Sequence, residues 1–148
     1  MIRELTIGDF DKVEQMMAEL HKIHVENRGA FYTENQHPIA KKKYKAMLKD
    51  KNKIALAFAE NEEIVGIVIA TVKDHTVRSI YIDAIFVLEQ FRRQGIATQL
   101  YRQIEVIASE IGAERMDLVV WAFNASALAF YKSLGMTGQR IVLEKQVK

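Results

Sequence analysis

Arg92-Arg93-Gln94-Gly95-Ile96-Ala97 places two forked cations, a glycine and a small residue directly ahead of a helical pattern. That combination suits anion binding. The first N–H groups of a helix have no intrahelical partner, and the helix dipole adds partial positive charge there. Glycine lets the backbone approach a ligand, and arginine presents donors that match phosphate. A second chemical signal lies a few residues earlier. Asp83 interrupts the apolar run Ile80–Val87, and a carboxylate in a buried strand must be paired, hydrated or functional. Tyr81 shares its strand face and is placed to help order a water. The plain alternatives are an ordinary strand–helix loop with exposed arginines, and a structural ion pair at Asp83.

These residues need a strand and a helix to hold them. The β-branched run 80–87 reads as a buried strand, and Ile96, Leu100, Ile104, Ile107 and Ile111 recur on one face of a helix over 95–112, with Gly112 as its C-cap. Upstream, Ile2–Ile7 alternates as a first strand. Asp9 is a candidate N-cap for an amphipathic helix Phe10–Val25, marked by Val13, Met16, Met17, Leu20, Ile23 and His24. Asn27–His37 is a polar loop, and Pro38 suits the first turn of a second helix reaching about Lys49. Strands follow at Lys53–Glu60 and Glu63–Lys73, joined at Asn61-Glu62, and Asp74-His75-Thr76 turns the chain into the strand ending at Val87. These three strands form an antiparallel meander. After the helix come a strand at Met116–Phe123, which a right-handed crossover makes parallel to 80–87, a short helix Asn124–Leu134 ended by Gly135, and a last strand Arg140–Lys145. The expected order is βααβββαβαβ, an α+β sandwich of a mixed sheet flanked by helices.

Two motifs at this separation resemble one family. Arg92-x-x-Gly95-x-Ala97 after an apolar strand is similar to the pyrophosphate loop of the GNAT superfamily of N-acetyltransferases. AFNASALAFYKSLGM is similar to the family's closing segment, with Asn124, Tyr131, Leu134-Gly135 and Met136 in the matching places. The element order agrees over essentially the whole chain. The resemblance implies the GNAT acyl-CoA N-acyltransferase fold, acetyl-CoA as co-substrate and an amine acceptor. It also implies that N–H groups of Gln94, Gly95, Ile96, Ala97 and Thr98, with Arg92 and Arg93, hold the pyrophosphate, and that Asn124 and Tyr131 belong to the cofactor side. The strand at 80–87 would splay from that at 116–123. Ile85, Phe86 and Val87 would then receive the pantetheine arm like an added strand, one N–H facing the thioester oxygen. Tyr131 is the implied acid for the leaving thiolate and Asp83 the implied base for the acceptor ammonium, through a water because aspartate is one methylene shorter than glutamate. A packed core tyrosine beside Phe130 is the alternative for Tyr131.

Composition limits the rest. The chain has 148 residues, 49% of them apolar and 27% charged, which fits a single domain with a sizeable core, residues 1–148. A net charge of +2 gives no argument for nucleic acid or membrane partners. Cysteine is absent, so thiol catalysis, disulfides and an acetyl-cysteine intermediate are excluded, which favours direct transfer. A charged N-terminus without an apolar signal core, and no apolar run of spanning length, make a cytoplasmic protein the expectation. His21, His24, His37 and His75 form no metal-ligand spacing, and no metal is expected.

Lys41, Lys42, Lys43, Lys45, Lys49, Lys51 and Lys53 read as a solvated face that could steer an anionic cofactor. A nucleic-acid surface on 38–53 is one rival reading, and a non-catalytic acyl-CoA-sensing module is another. A dinucleotide oxidoreductase is disfavoured, since Gly95 alone does not make the glycine fingerprint. The resemblance places acceptor specificity near Leu20–Tyr44 and Met136–Ile141, with Glu26, Phe31, Tyr32 and Glu34 as candidate contacts. It also allows a homodimer through Ile141-Val142-Leu143.

Overall fold

A computed structural model of the chain describes residues 1–28 and 39–147. The expected loop through His37, with Phe31, Tyr32 and Glu34, lies outside the described residues, as does Pro38. The chain forms two compact units, Met1–Leu118 and Val119–Lys148.

The first unit is built on one sheet in the order β1 (Ile2–Glu4), β2 (Lys53–Glu60), β3 (Glu63–Asp74), β4 (Arg78–Val87) and β5 (Arg115–Asp117). The first three pairings are antiparallel, and β5 joins β4 in parallel. This is the mixed α+β architecture that the element order implies. Alternation along β3 sorts its two faces. Ile67 and Ile69 point to the side covered by α1 (Phe10–Asn27) and α2 (Lys41–Lys49), where they join Phe10, Val13, Met16 and Tyr44 in the core. Gly66 and Val68 point the other way, toward α3 (Ile96–Glu110), whose Ile96, Leu100, Ile104 and Ala108 are buried at helical spacing.

Gly66 fixes how closely α3 can sit. A Cβ there would meet Ile96 Cγ2 at 3.1 Å and Leu100 Cδ1 at 3.3 Å. The residue therefore lets the N-terminal turn of α3 rest directly on the sheet.

Entry into α1 departs from the simple cap read from the sequence. β1 stops at Glu4, and Ile7–Asp9 forms a 3-10 turn. Asp9 does stand at the N-cap position of α1, but its carboxylate turns backward. It accepts both arms of Arg3, at 2.9 and 3.0 Å, and the Thr6 N–H at 2.8 Å. The Arg3 hydrogen bonds hold the Asp9 carboxyl below the usual aspartate range, against the opposing effect of burial. Tyr44 of α2 closes the bracket. It is fully buried, its hydroxyl donates to Thr6 O at 2.6 Å, and desolvation pushes its phenol up to about 12. Residues of β1, α1 and α2 are thereby tied at one corner.

Two strand expectations need correction. The strand expected over 116–123 pairs only through Arg115–Asp117. The reason is visible in β4. Between β3 and β4 the register runs Ile69↔Ala84 and then Ala70↔Ile82, so Asp83 is an extra residue, a β-bulge. The β5 ladder ends at Tyr81↔Asp117, two residues before the bulge, and a bulge locally bends and twists its strand. The strand expected at Arg140–Lys145 is not formed among the described residues. Its β-branched side chains favour extension, but a strand needs a hydrogen-bonding neighbour. Ile141, Val142 and Leu143 are instead 86, 84 and 89% exposed. In the second unit the regular element is α4 (Ala125–Ser133). No helix among the described residues is long and apolar enough to cross a membrane.

Candidate active site

The link from β4 to α3 is a local structure with its own constraints. After Val87 a 3-10 turn, Glu89–Phe91, delivers Arg92. The Arg92 Nε donates to Val87 O at 2.9 Å, and its guanidinium lies 5.3 Å from the Phe86 ring centroid. Arg92 thus braces the loop against the strand it leaves. Arg93 and Gly95 both adopt left-handed backbone, with φ of 64° and 78°. An ideal Cβ on Gly95 meets nothing within 4 Å, so the glycine is required by conformation rather than by crowding in the protein. Left-handed residues alternating with right-handed ones turn successive N–H groups toward one side, a concavity that suits anions. The first hydrogen bond inside α3 is Gln99 N–H to Gly95 O at 3.0 Å. The N–H groups of Ile96, Ala97 and Thr98 precede it, in a first turn with no acidic residue and no side-chain cap. The positive end of the helix dipole and N–H groups without an intrahelical partner coincide there.

Asp83 is not buried, contrary to the expectation for a carboxylate in an apolar strand. Its side chain is 33% exposed because the bulge turns it out beside Ala84. It accepts a hydrogen bond from Thr71 Oγ1 at 2.6 Å, and Lys53 Nζ stands 3.5 Å away. Lys53 in turn donates to Thr71 Oγ1 at 2.6 Å. Lys53, Thr71 and Tyr81 are opposite one another in register across β2, β3 and β4, so one face of the sheet carries the whole chain of contacts. Tyr81 is covered by Lys73, whose ammonium is 4.5 Å from its ring centroid. The carboxylate opens on a cleft of about 410 Å³ floored by Met17, Ile39, Met47 and Ile69. Lys43, Asp50, Lys53 and Asp83 supply its charges.

Past Tyr81 the β5 side of β4 has no strand partner among the described residues, although Val87 O is taken by the Arg92 Nε. Ile85, Phe86 and Val87 lie on this stretch, with Phe86 and Val87 buried through their side chains.

The second unit carries the other motif. Asn124 caps α4, its Oδ1 accepting from Ala127 N–H at 3.1 Å. Tyr131 packs edge-on against Phe130 with centroids 5.1 Å apart. Met136 N–H donates to Tyr131 O and Gly135 N–H to Lys132 O, with Gly135 at φ 98°. This is the Schellman closure, and it explains Leu-Gly followed by an apolar residue after the tyrosine.

Residues 17–136 match the Acetyltransferase (GNAT) family. The chain belongs to that family. Among curated relatives, thialysine N-epsilon-acetyltransferase of Mus musculus is 35% identical over 60 residues, covering 40% of this chain and 35% of that enzyme. The match thus spans about a third of the curated relative's length. Among solved structures, a mutant of the BH1408 protein from Bacillus halodurans has a TM-score of 0.96 at 25% identity, covering 100% of this chain and 99% of that one. An aminoglycoside acetyltransferase from an uncultured soil metagenomic sample has a TM-score of 0.72 at 25% identity, covering 100% and 98%.

For this GNAT protein the loop residues are contiguous and were readable as a string. Lys53, Thr71, Lys43 and Asp50 were not singled out as site residues. A lysine opening an apolar strand and a threonine three strand positions before its end were the available signals, and each is common on a solvated sheet. No group of three or more metal-ligating side chains occurs among the described residues.

Proposed function

We propose that this GNAT protein transfers an acetyl group from acetyl-CoA to an amine by direct attack in a ternary complex. The observation that carries the reading is the left-handed loop at Arg93 and Gly95, opening onto the uncapped first turn of α3. It is a ready site for the pyrophosphate of the donor, a substrate of the reaction, with N–H groups of Gln94–Thr98 as donors. The lack of a strand partner on the β5 side of β4 past Tyr81 supports the reading that the pantetheine arm adds along Ile85–Val87 as a strand would. The neutral amine nitrogen attacks the thioester carbonyl carbon, a backbone N–H of β4 stabilises the developing oxyanion, and the C–S bond then breaks. The proton lost by the amine passes through water to Asp83. The departing thiolate takes a proton from Tyr131. Residues 1–148 act as one catalytic domain in this reading. Small-molecule and protein amines are both admissible acceptors, and the cleft of about 410 Å³ beside Asp83 is of a size for the former. Pairing of two copies through the exposed Ile141–Leu143 segment completes the proposal.

Calorimetric titration with acetyl-CoA, followed by an amine screen, tests it. At ~100 times its dissociation constant the ligand should stabilise the fold by about 2.7 kcal/mol. Tyr131→Phe should keep that binding and lose transfer. Binding without transfer to any amine would instead make this an acyl-CoA sensor, and no binding at millimolar acetyl-CoA would refute the reading.

A further inference from the structure

We propose that the acceptor is a small amine that also carries a carboxylate, with Lys43 as the residue that selects it. The inference rests on the acetyl-transfer reading of the same cleft and deepens it. Four charged side chains line the cleft, but they are not equally free. Lys53 and Asp83 face each other at 3.5 Å and share Thr71. Asp50 accepts the Asn52 N–H at 2.8 Å, and its carbonyl accepts the Lys53 N–H at 3.0 Å, so its charge belongs to the Lys53–Asp83 side of the cleft. Lys43 forms no ion pair among the described residues and is exposed.

Its position on α2 is specific. Lys43, Ala46 and Met47 line the cleft at the i, i+3 and i+4 spacing of one helix face, and Asp50, the C-cap of α2, lines it beyond them. Tyr44 is turned into the core, and Lys41 lies 5.8 Å over the Phe10 ring. Of the α2 lysines, Lys43 therefore lines the acceptor cleft, and the lysine run is not a single functional surface.

Seven residues, about 10 Å of helix, separate Lys43 from Asp50 and its backbone contact with Lys53, so the cleft has two ends. At one, Asp83 is placed to take the amine's proton, and the nearby Lys53 ammonium disfavours a protonated amine, which is the form that cannot attack. At the other, Lys43 awaits an anion. Between them, Met17, Met47 and Ile69 give an adaptable apolar floor that suits a methylene spacer. A diamine would bring its second cation to Lys43 and be repelled. An amino carboxylate is complementary at both ends. A cleft of about 410 Å³ fits a molecule of that size.

Thiol release from acetyl-CoA by the full chain tests this with γ-aminobutyrate and ε-aminocaproate against n-butylamine, n-hexylamine, putrescine and hexamethylenediamine. The amino carboxylates should exceed alkylamines of equal length in kcat/KM by about tenfold or more, the weight of one charge-assisted contact. Lys43→Met should erase that preference, and Lys43→Glu should reverse it toward the diamines. A retained acetyl-CoA-induced thermal shift shows that both variants are folded. A wild-type preference for diamines, or a selectivity ratio unmoved by Lys43→Glu, overturns the proposal. So does acetyl-CoA binding with no amino carboxylate bound or acetylated, which leaves the general transfer reading intact. Failure to bind acetyl-CoA overturns both.

Discussion

The α3 loop and the acceptor cleft are both candidate binding regions, and they are made in opposite ways. The loop is a short contiguous stretch whose donors are backbone N–H groups aimed by two left-handed residues. The cleft is assembled from α1, α2 and three strands, and its functional groups are side chains aimed by a bulge and a hydrogen-bond relay. A backbone-made site tolerates most side-chain changes but fails when its φ values are denied. A side-chain-made site should lose chemistry one group at a time while binding elsewhere survives.

The largest expected effect breaks the first half of that contrast. Gly95→Glu places a side chain at φ 78°, where non-glycine residues are strained by about 1–2 kcal/mol, and sets a carboxylate at the helix N-terminus facing phosphate. The dissociation constant for acetyl-CoA should rise by about 100-fold or more, read by calorimetry. Gly95→Ala carries the strain without the charge and should fall between. Next in size, Asp83→Asn should lower kcat by about 100-fold and leave acetyl-CoA affinity unchanged. An unchanged kcat would make Asp83 the structural partner of Lys53 and nothing more.

The same contrast explains what the sequence disclosed. Arg92 to Ala97 could be read directly, because a loop's conformation is dictated by its own glycine and by the helix that follows. The meander could be read from alternation and turns. The bulge could not. Nothing in IYIDAIFV marks Asp83 as an extra residue, because a bulge is defined by its pairing with Ile69 and Ala70 on another strand. That feature leaves Asp83 exposed rather than buried, while the β5 ladder stops at Tyr81, in line with a splay of the two strands but with a shorter strand than 116–123. The relay was hidden for the same reason, since Lys53 and Thr71 meet Asp83 only across three strands. Arg140–Lys145 shows a different limit. Apolar β-branched composition predicts extension, but pairing depends on a partner that the segment itself does not encode.

Stability separates the two regions as well. The cleft wall formed by α1 and α2 hangs on the Arg3–Asp9–Thr6–Tyr44 bracket, whereas the loop is fixed by Arg92 and Gly66. Asp9 has a carboxyl held low, chiefly by Arg3, so it contributes stability above the ordinary aspartate range, about pH 4, and loses it as pH falls through its lowered value. Asp9→Asn should therefore cost about 1–2 kcal/mol near neutral pH in denaturant unfolding. The gap from wild type should narrow in acid. A gap that is independent of pH would mean the effect is packing, not the carboxylate charge.

The smallest effect probes the cleft most closely. Thr71→Val keeps the shape of the side chain but removes the hydroxyl that donates to Asp83 and accepts from Lys53. If the relay fixes where the Asp83 carboxylate points, kcat should drop by about threefold to tenfold, with KM for acetyl-CoA unchanged. Lys53→Met should produce a drop of similar size, because it removes the other end of the same relay. The double variant then discriminates between a relay and two separate contacts. In a relay the second substitution acts on an interaction the first has already broken, so the combined loss falls short of the product of the single losses. A fully multiplicative loss would mean that Lys53 and Thr71 act on the acceptor independently, and that Asp83 keeps its orientation from the bulge alone.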